Sequence, residues 1–252
     1  MIPKIIHYCW FGGNPLPQDA QECLNSWKKY LPDYEIKVWN ESNFDVNCCP
    51  YVKGAYEQRK FAFVSDYARF WVLYQEGGLY FDTDVEVIRN MDHIIAAGNF
   101  MGIEKSLATQ NPASGEPLGV NAGLGMGCEP KSPFLKEMLE LYESKPEFTF
   151  DEGTIVYHTT QTLKKYGFVN EHRFQEVAGF KIYPAEYFCP MDSTTGLTDL
   201  TENTVSIHHY SCSWMNQKSF SFRIHLLKNK LIKIFGPKLV FGFVNIINKI
   251  RR

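Results

Sequence analysis

The sequence lacks several features that would assign it to common protein classes. It has no C-x-x-C pair and an odd number of cysteines, seven, so we expect reduced thiols and a cytoplasmic chain rather than a disulfide framework. The early apolar stretch ends at Gly12-Gly13 without a small-residue cleavage site, so we predict no signal peptide. The longest apolar stretch, 231–247, is interrupted by lysines and a Gly-Pro pair, which predicts no membrane-spanning helix.

Acidic residues are missing from the last fifth of the chain. All 28 Asp and Glu residues precede Asn203, whereas nine of the 26 Lys and Arg residues follow it. These basic residues are interleaved with Leu, Ile and Phe, a pattern typical of segments that lie on anionic membrane surfaces. We therefore predict a folded domain over 1–217 and a basic amphipathic segment over 218–252. Packing of this segment on the protein itself is the alternative, and because it holds no nucleic-acid-binding motif, no nucleic-acid partner is expected.

Strand and helix patterns alternate along the first 130 residues, which is typical of an α/β fold with one large domain. Period-two or short apolar runs predict strands, and helical spacing of apolar residues predicts helices. The predicted strands are 5–10, 34–39, 79–81, 176–183 and 204–208. The predicted helices are 19–30, 56–75, 133–143 and 154–166. A long Gly/Pro/Ser/Asn loop over 108–119 is of the kind that often has a functional role.

Two carboxylates follow the apolar strand 79–81. Asp82 and Asp84 are two residues apart, and at a turn they can converge on one divalent cation, which prefers carboxylate oxygens. Ligands of open α/β sheets bind beyond the carboxyl ends of strands, so this position suits a metal site. A polar strand exit with no ligand is the alternative.

Three further groups of residues point to the same chemistry. Ser65, Asp66 and Arg69 lie within one turn of the predicted helix, either as a surface ion pair or as a site for sugar hydroxyls and phosphate. Trp10 ends a predicted strand before two glycines and is either a core residue or a stacking face for a nucleobase. The last group follows strand 204–208 and offers imidazole, hydroxyl and indole groups to a metal or phosphate; its members are His208, His209, Ser211, Ser213 and Trp214.

Together these motifs resemble glycosyltransferase family 32. Residues 65–69 and 77–84 resemble its S-D-x-x-R…G-G-x-Y-x-D-x-D signature, which the large clostridial glucosylating toxins share. The opening 2–7 is similar to that of bacterial capsule and exopolysaccharide enzymes of the family, and 7–13 resembles the toxins' strand whose Trp stacks on uracil. The resemblance covers 1–92, extends to 121–123 and 208–214, and is absent beyond about 220.

The resemblance implies a GT-A type fold, a Rossmann-like mixed sheet flanked by helices. It also implies a nucleotide-sugar donor, a Mn²⁺ or Mg²⁺ ion and retention at the anomeric carbon. Carried over to this chain, Asp82 and Asp84 hold the metal and the diphosphate, and His208 or His209 completes the metal shell. The donor would be bound by a larger set of side chains, with Trp10 on the base: Trp10, Ser65, Asp66, Arg69, Tyr80, Asn121, Ser213 and Trp214. Cys212 stands where the toxins carry a Ser, so the hydroxyl that helps Trp214 is left open.

The predicted function is therefore transfer of a hexose from a nucleotide sugar, UDP-linked rather than GDP-linked, to a saccharide acceptor. The acceptor is predicted to be polyprenyl-linked, in capsule or exopolysaccharide synthesis at the inner face of the plasma membrane. A divalent ion held by Asp82 and Asp84 would neutralise the leaving diphosphate, with Arg69 assisting, while the sugar becomes oxocarbenium-like. The alternatives are a haloacid-dehalogenase phosphatase with Asp82 as nucleophile, and an inactive carbohydrate-binding protein.

Overall fold

The computed structural model describes residues 1–104, 119–149, 153–193 and 195–211, together with residues 227, 231, 232, 234, 236 and 239. Within these ranges the strands are β1 (Ile5–Cys9), β2 (Glu35–Trp39), β3 (Gly78–Tyr80), β4 (Val85–Val87), β5 (Phe100–Ile103), β6 (Val120–Asn121), β7 (Met126–Cys128), β8 (Gln175–Val177), β9 (Phe180–Tyr183) and β10 (Ser206–His208). The helices are α1 (Gln18–Tyr30), α2 (Pro50–Glu57), α3 (Phe61–Glu76), α4 (Asp92–Ala96), α5 (Pro133–Glu143), α6 (Ile155–Lys164) and α7 (Ala185–Phe188).

The main sheet is mixed. Its strands run in the order β2-β1-β3-β7-β5-β9-β8, and β6 pairs with β5. Strand β1 is parallel to β2 and β3, β5 is parallel to β9, and β7 is antiparallel to both β3 and β5. Strands β1, β2, β3, β5 and β9 therefore all end at the same edge of the sheet. This sheet, flanked by helices, confirms the predicted α/β class.

Both faces of strand β3, which lies inside the sheet, are buried. Leu79 and the following Phe81 pack into a cluster with Trp27 of α1, whereas Tyr80 points to the opposite face, into a cluster with α2, α3 and α5. A strand covered on both faces needs apolar residues on both sides, which explains the continuous run Leu79-Tyr80-Phe81. The polar residues that follow are thereby placed at the sheet edge and not in the core.

The start of β3 is fixed by a buried histidine. The indole N–H of Trp39 donates to Nδ1 of His7 at 3.0 Å, so Nε2 carries the proton and donates to the Gly77 carbonyl at 2.9 Å. Burial lowers the pKa of His7, which keeps the ring neutral. Gly78 has φ 103°, and a Cβ there would lie 2.6 Å from the Ile5 carbonyl, so only glycine fits. Gly77 and Gly78, both with positive φ, therefore allow α3 to end at Glu76 and β3 to lie directly beside β1.

The structure differs from the sequence predictions at two elements. The helix predicted over 56–75 is divided into α2 and α3, because Arg59 adopts a left-handed conformation with φ 56° that ends the first helix. The strand predicted over 176–183 is the hairpin β8–β9, which turns at Ala178 and Gly179, both with positive φ. In addition, β10 pairs with β4 in a separate two-stranded sheet.

Most of the predicted loop 108–119 and most of the segment 218–252 lie outside the described residues. The division at 217 therefore stays a prediction. Within the described part of the chain, no helix has both the length and the apolar character needed to cross a membrane.

Candidate functional site

The two carboxylates of the D-x-D motif lie at the edge where the parallel strands end. After β3, the backbone N–H of Asp82 donates to the Gly123 carbonyl at 3.1 Å. The N–H of Val85 then donates to the Asp82 carbonyl at 3.0 Å, which closes a turn between β3 and β4. The turn leaves the side chains of Asp82 and Asp84 partly exposed, at 28% and 17%. Both carboxylates are therefore accessible to a ligand.

A third possible metal ligand, a histidine from the last described strand, lies beside these carboxylates. Antiparallel pairing of β10 with β4 places His208 opposite Val85, next to Asp84. The His208 Nε2 lies 3.2 Å from Oδ1 of Asp84. One ligand atom from each of Asp82, Asp84 and His208 lies within 4.8 Å of the others. We call these three residues the acidic cluster.

The charge on Asp84 is strongly stabilised. Its Oδ2 accepts hydrogen bonds from the N–H of Ser211 at 2.9 Å and from the Ser211 hydroxyl at 3.0 Å. Burial alone would raise the pKa of Asp84, but His208 and Ser211 outweigh burial and hold this pKa well below its ordinary value. Burial alone would likewise lower the pKa of His208, yet the Asp84 carboxylate raises it to about 9. The protein alone thus holds the two residues as an ion pair.

Arg69 connects helix α3 to the D-x-D motif. Its guanidinium is buried and lies 3.1 Å from Oδ1 of Asp66 and 3.2 Å from Oδ1 of Asp82. Its Nε donates to the Ser65 carbonyl at 3.1 Å, and its Cζ lies 4.9 Å from the centre of the Tyr80 ring. The pair between Asp66 and Arg69 is thus buried and is not a surface ion pair. Every guanidinium nitrogen is engaged by protein, so Arg69 fixes the position of Asp82.

The other predicted donor-binding residues around Arg69 also bond to protein. The Tyr80 hydroxyl donates to Oδ1 of Asp82 at 3.2 Å, and the Ser65 hydroxyl donates to the Phe61 carbonyl at 3.1 Å. Burial raises the pKa of Asp66 to about 7, although Arg69 opposes that rise. Burial also raises the pKa of Asp82, against the opposing effect of Arg69. Contact of these residues with a donor stays a prediction.

Trp10 and Asn121 flank the acidic cluster along the same sheet edge. Trp10 follows β1, is half-buried, and donates its indole N–H to the Asn14 carbonyl at 2.6 Å. Asn121 lies in β6 and donates from Nδ2 to Oε2 of Glu104 at 2.8 Å. Stacking of Trp10 on a base stays a prediction. Glu104 belongs to no sequence motif, and only the pairing of β5 with β6 brings it to the site.

The residues predicted to join the site from the segment after strand 204–208 do not all lie at the acidic cluster. His209 faces away from the acidic cluster, because its Nε2 lies 2.9 Å from Oε2 of Glu86, and adjacent residues of an extended chain point to opposite sides. The structure therefore brings His208 and not His209 to the acidic cluster. Ser213 and Trp214 lie outside the described residues.

The acidic cluster fits a divalent cation by its chemistry. Two carboxylates and one imidazole are donors that Mn²⁺ accepts, and carboxylates alone suit Mg²⁺. Three protein ligands leave coordination positions for phosphate oxygens. The Nδ1 of His208 is buried and has no hydrogen-bond partner among the described residues. Among those residues no other group of His, Cys, Asp and Glu has metal-site geometry.

Comparison with known proteins relates the part of the chain that contains the D-x-D motif to a family. Residues 17–101 match the family described as "Glycosyltransferase sugar-binding region containing DXD motif". Inositol phosphoceramide mannosyltransferase 3 of Schizosaccharomyces pombe is 26% identical over 63% of this chain and 42% of its own length. Mannosyl phosphorylinositol ceramide synthase SUR1 of Saccharomyces cerevisiae is 25% identical over 60% of this chain and 37% of its own length. The chain thus aligns with less than half of each relative.

The solved structures to which this chain is similar include the PaToxG glycosyltransferase. It is 19% identical, covers 65% of this chain and 69% of its own, and has a TM-score of 0.49. The fold class is nevertheless settled by the mixed sheet, the position of the D-x-D motif after β3 and the family match, which together confirm the predicted GT-A type. Residues 17–101 thus match a glycosyltransferase family whose sugar-binding region contains a DXD motif, in agreement with the S-D-x-x-R and D-x-D motifs.

Proposed function

We propose that this protein transfers a hexose from a nucleotide sugar to a hydroxyl group of a saccharide or lipid-linked acceptor. The observation that carries the proposal is the convergence of Asp82, Asp84 and His208 at the sheet edge, with Arg69 buried behind Asp82. Two carboxylates and an imidazole that converge in this way would hold a divalent cation, and that cation would neutralise negative charge on a diphosphate. The family match of residues 17–101 supports a sugar donor.

Asp82, Asp84 and His208 would hold Mn²⁺ or Mg²⁺ in the proposed enzyme. When bound, such an ion supplies Lewis-acid neutralisation of the negative charge that develops on the leaving diphosphate. The chain's own contribution is to hold the two carboxylates in place before substrate arrives. Arg69 and Tyr80 fix Asp82, while Ser211 fixes Asp84. Preorganised ligands avoid a reorganisation cost during the reaction.

We propose retention at the anomeric carbon, with the leaving phosphate taking the acceptor's proton. Two further carboxylates beside the acidic cluster support this proposal, because both are already engaged. Asp66 pairs with Arg69, and Glu104 accepts a hydrogen bond from Asn121. Neither is presented as a free nucleophile. An NMR spectrum of the product with an inverted linkage would contradict the proposal.

The position of Trp10 and the names of the relatives favour different nucleotide-sugar donors. The position of Trp10 at the end of β1, on the same edge as the acidic cluster, is compatible with a stacked uracil, which favours UDP-sugars. One relative is named an inositol phosphoceramide mannosyltransferase and another a mannosyl phosphorylinositol ceramide synthase, so GDP-mannose and a lipid acceptor are the second choice to test. Synthesis of capsule or exopolysaccharide remains our proposal for the biological setting.

A thermal-shift and hydrolysis screen tests the donor. The full chain is incubated with UDP-glucose, UDP-galactose or GDP-mannose, each with and without Mn²⁺. We expect one nucleotide sugar to raise the melting temperature and to be hydrolysed slowly, in both cases only with Mn²⁺. Asp84→Asn should abolish both effects, while Glu86→Gln, two residues away and paired with His209, should preserve them. Stabilisation without metal, or none by any nucleotide sugar, would contradict the proposal.

The phosphatase alternative gains no support from the site. A haloacid-dehalogenase nucleophile needs a lysine and a second acidic pair beside it. Here Asp82 lies against the buried Arg69, and the third member of the acidic cluster is His208. Release of phosphate from sugar phosphates by the purified protein would revive that alternative.

We also propose that the segment 218–252 lies on an anionic membrane surface, at the cytoplasmic face in the setting given above. Leu227, Leu231 and Ile234 are helical and exposed by 58%, 36% and 70%, whereas Ile232 is buried. A spacing of four and three residues is the spacing expected on one side of a helix. The nine basic residues after Asn203, with no acidic residue among them, complement anionic headgroups.

Vesicle flotation tests this membrane proposal. The full chain should float with phosphatidylcholine vesicles that contain phosphatidylglycerol, and high salt should release it. Replacing Leu231 and Ile234 together by glutamate should abolish flotation. Leu200→Glu is the matched control, because Leu200 is also an exposed leucine, at 52%, but lies outside the segment. Failure of the wild type to bind anionic vesicles at low salt would refute the membrane proposal without affecting the proposed chemistry.

A further inference from the structure

Glu104 is a carboxylate at the site that no sequence motif indicates. It follows the last residue of β5, and because β7 is antiparallel to both neighbours, β5 and β3 run in the same direction. The residues after β5 and after β3 therefore lie at the same sheet edge. This places Glu104 on the side of the acidic cluster occupied by Asn121.

A continuous set of hydrogen bonds leads from Glu104 to the backbone of Asp82. Oε2 of Glu104 accepts from Nδ2 of Asn121 at 2.8 Å. The amide oxygen of the same Asn121 accepts from the N–H of Gly123 at 2.7 Å. Both ends of the Asn121 amide are thus engaged, so the amide has one orientation. The Gly123 carbonyl then accepts from the N–H of Asp82 at 3.1 Å.

Gly123 also sets where the Asp82 carboxylate lies. A Cβ on Gly123 would lie 2.0 Å from Oδ2 of Asp82 and 2.8 Å from Nη1 of Arg69. The carboxylate and the guanidinium are therefore packed directly against the Gly123 backbone. A shift of this backbone would move the carboxylate or open a gap beside it, and either change alters the distances among Asp82, Asp84 and His208.

We propose that Glu104 is a positioning residue for the cation site, which acts by fixing Asn121 so that its amide oxygen holds Gly123 against Asp82. The inference rests on the proposed function, since the cation site is that of the proposed transferase. Without Glu104, the Asn121 amide is free to turn by half a rotation. Its NH₂ group would then face the N–H of Gly123, and the bond that holds Gly123 would be lost.

Titration of the purified full chain with Mn²⁺ alone, followed by electron paramagnetic resonance of the free ion, tests this inference. Loss of a residue that orients a ligand typically weakens metal affinity about tenfold or more, and we expect this for Glu104→Ala. Glu104→Gln should stay within about twofold of wild type, because its amide oxygen still accepts from Asn121. Glu186→Ala is the matched control: Glu186 also accepts from an asparagine, Asn203, at 2.9 Å, but lies outside the acidic cluster.

A pair of exchanged residues gives a second, independent test that holds even when Glu104→Ala does not fold. Asn121→Asp places two carboxylates face to face and should weaken Mn²⁺ binding. Adding Glu104→Gln should restore it, because the glutamine NH₂ donates to the carboxylate introduced at position 121. The other oxygen of that carboxylate still accepts from Gly123.

The outcomes separate this inference from the proposed function. Wild-type affinity in Glu104→Ala, equal loss in Glu104→Gln and Glu104→Ala, or failure of the exchanged pair to recover would overturn the positioning role alone. Equal loss in both variants would show that the charge of Glu104 matters, and not its hydrogen bond. A wild-type chain that binds no Mn²⁺ would overturn the proposed function, and this inference with it.

Discussion

The imidazole Nε2 of His208 lies 3.2 Å from Oδ1 of Asp84, which joins the C-terminal strand of the described structure to the D-x-D motif. The contact depends on the register of β10 against β4, in which His208 is opposite Val85. A shift of that register by one residue would point His208 away and bring its neighbour to the acidic cluster. The pairing of two short strands therefore determines which histidine faces the carboxylates.

The two adjacent histidines should differ in their effect on cation binding. We expect His208→Ala to weaken Mn²⁺ binding at least tenfold, because one of three protein ligands is lost. His209→Ala should leave the affinity within about twofold of wild type, since His209 faces Glu86. Mn²⁺ titration of both variants measures the difference. Equal losses would show that the β4–β10 register described here is wrong.

Arg69 should be important for folding as well as for the site. Its removal leaves the buried Asp66 and the partly buried Asp82 without their counter-charge, so we expect Arg69→Ala to cost about 3–5 kcal/mol of unfolding free energy. The unfolding free energy of Arg69→Lys should lie between those of the wild type and Arg69→Ala. An ammonium keeps the positive charge, but it lacks the forked guanidinium that reaches both carboxylates. Urea denaturation measures these costs.

Arg173→Ala is the control for that series. Arg173 also pairs with a carboxylate, Glu171, but both side chains are 57% exposed. Arg173→Ala should lower the free energy of unfolding by about 1 kcal/mol or less. A similar cost for the two alanine variants would contradict the buried role of Arg69.

Gly123→Ala should damage the site more than the fold. The added methyl group would overlap Oδ2 of Asp82, so the carboxylate must move away. We expect Mn²⁺ affinity to fall at least tenfold, with about 1–3 kcal/mol lost in stability. Ala122→Gly, at the adjacent buried residue, should cost stability without weakening Mn²⁺ binding. Unchanged Mn²⁺ binding in Gly123→Ala would show that Asp82 is not held by this backbone.

Asp66 should make stability depend on pH. Its pKa is raised to about 7 in the folded protein, above the ~3.9 of an unfolded chain, so the folded state binds more protons between these values. The contribution of Asp66 to stability is therefore fully present below about pH 4 and is lost as pH rises towards 7. As pH rises through this window, the free energy of unfolding of the wild type should fall, relative to that of Asp66→Asn, by up to ~1.4 kcal/mol per pH unit.

Urea denaturation from pH 4 to pH 8 measures this difference between wild type and Asp66→Asn. The difference should become constant above about pH 8, where Asp66 is ionised in both states. A difference that does not change with pH would mean that Arg69 fully offsets the cost of burying the carboxylate.

The local part of the site could be predicted from the sequence. The spacing of Asp66 and Arg69 places them on one helix face, and the apolar run 79–81 places Asp82 and Asp84 at a strand end. These relationships depend on helix and strand geometry alone. The fold class followed for the same reason, because alternating strands and helices leave few arrangements for a buried sheet.

The rest depended on contacts between distant parts of the chain. Which of His208 and His209 faces the acidic cluster is fixed by the pairing of β10 with β4, and a sequence shows no register. Glu104 reaches Asn121 only through the pairing of β5 with β6. The break at Arg59 had no signal either, because arginine rarely adopts the left-handed conformation found there.

The pairing of β10 with β4 brings part of the site in from outside the region that matches the family. Residues 17–101 contain both aspartates but not the imidazole, which enters from strand 206–208. A fragment limited to the matched region would offer a cation two carboxylates and no nitrogen. We therefore expect a cation to bind with full affinity only once strand 206–208 has paired with β4, beside the turn that follows β3.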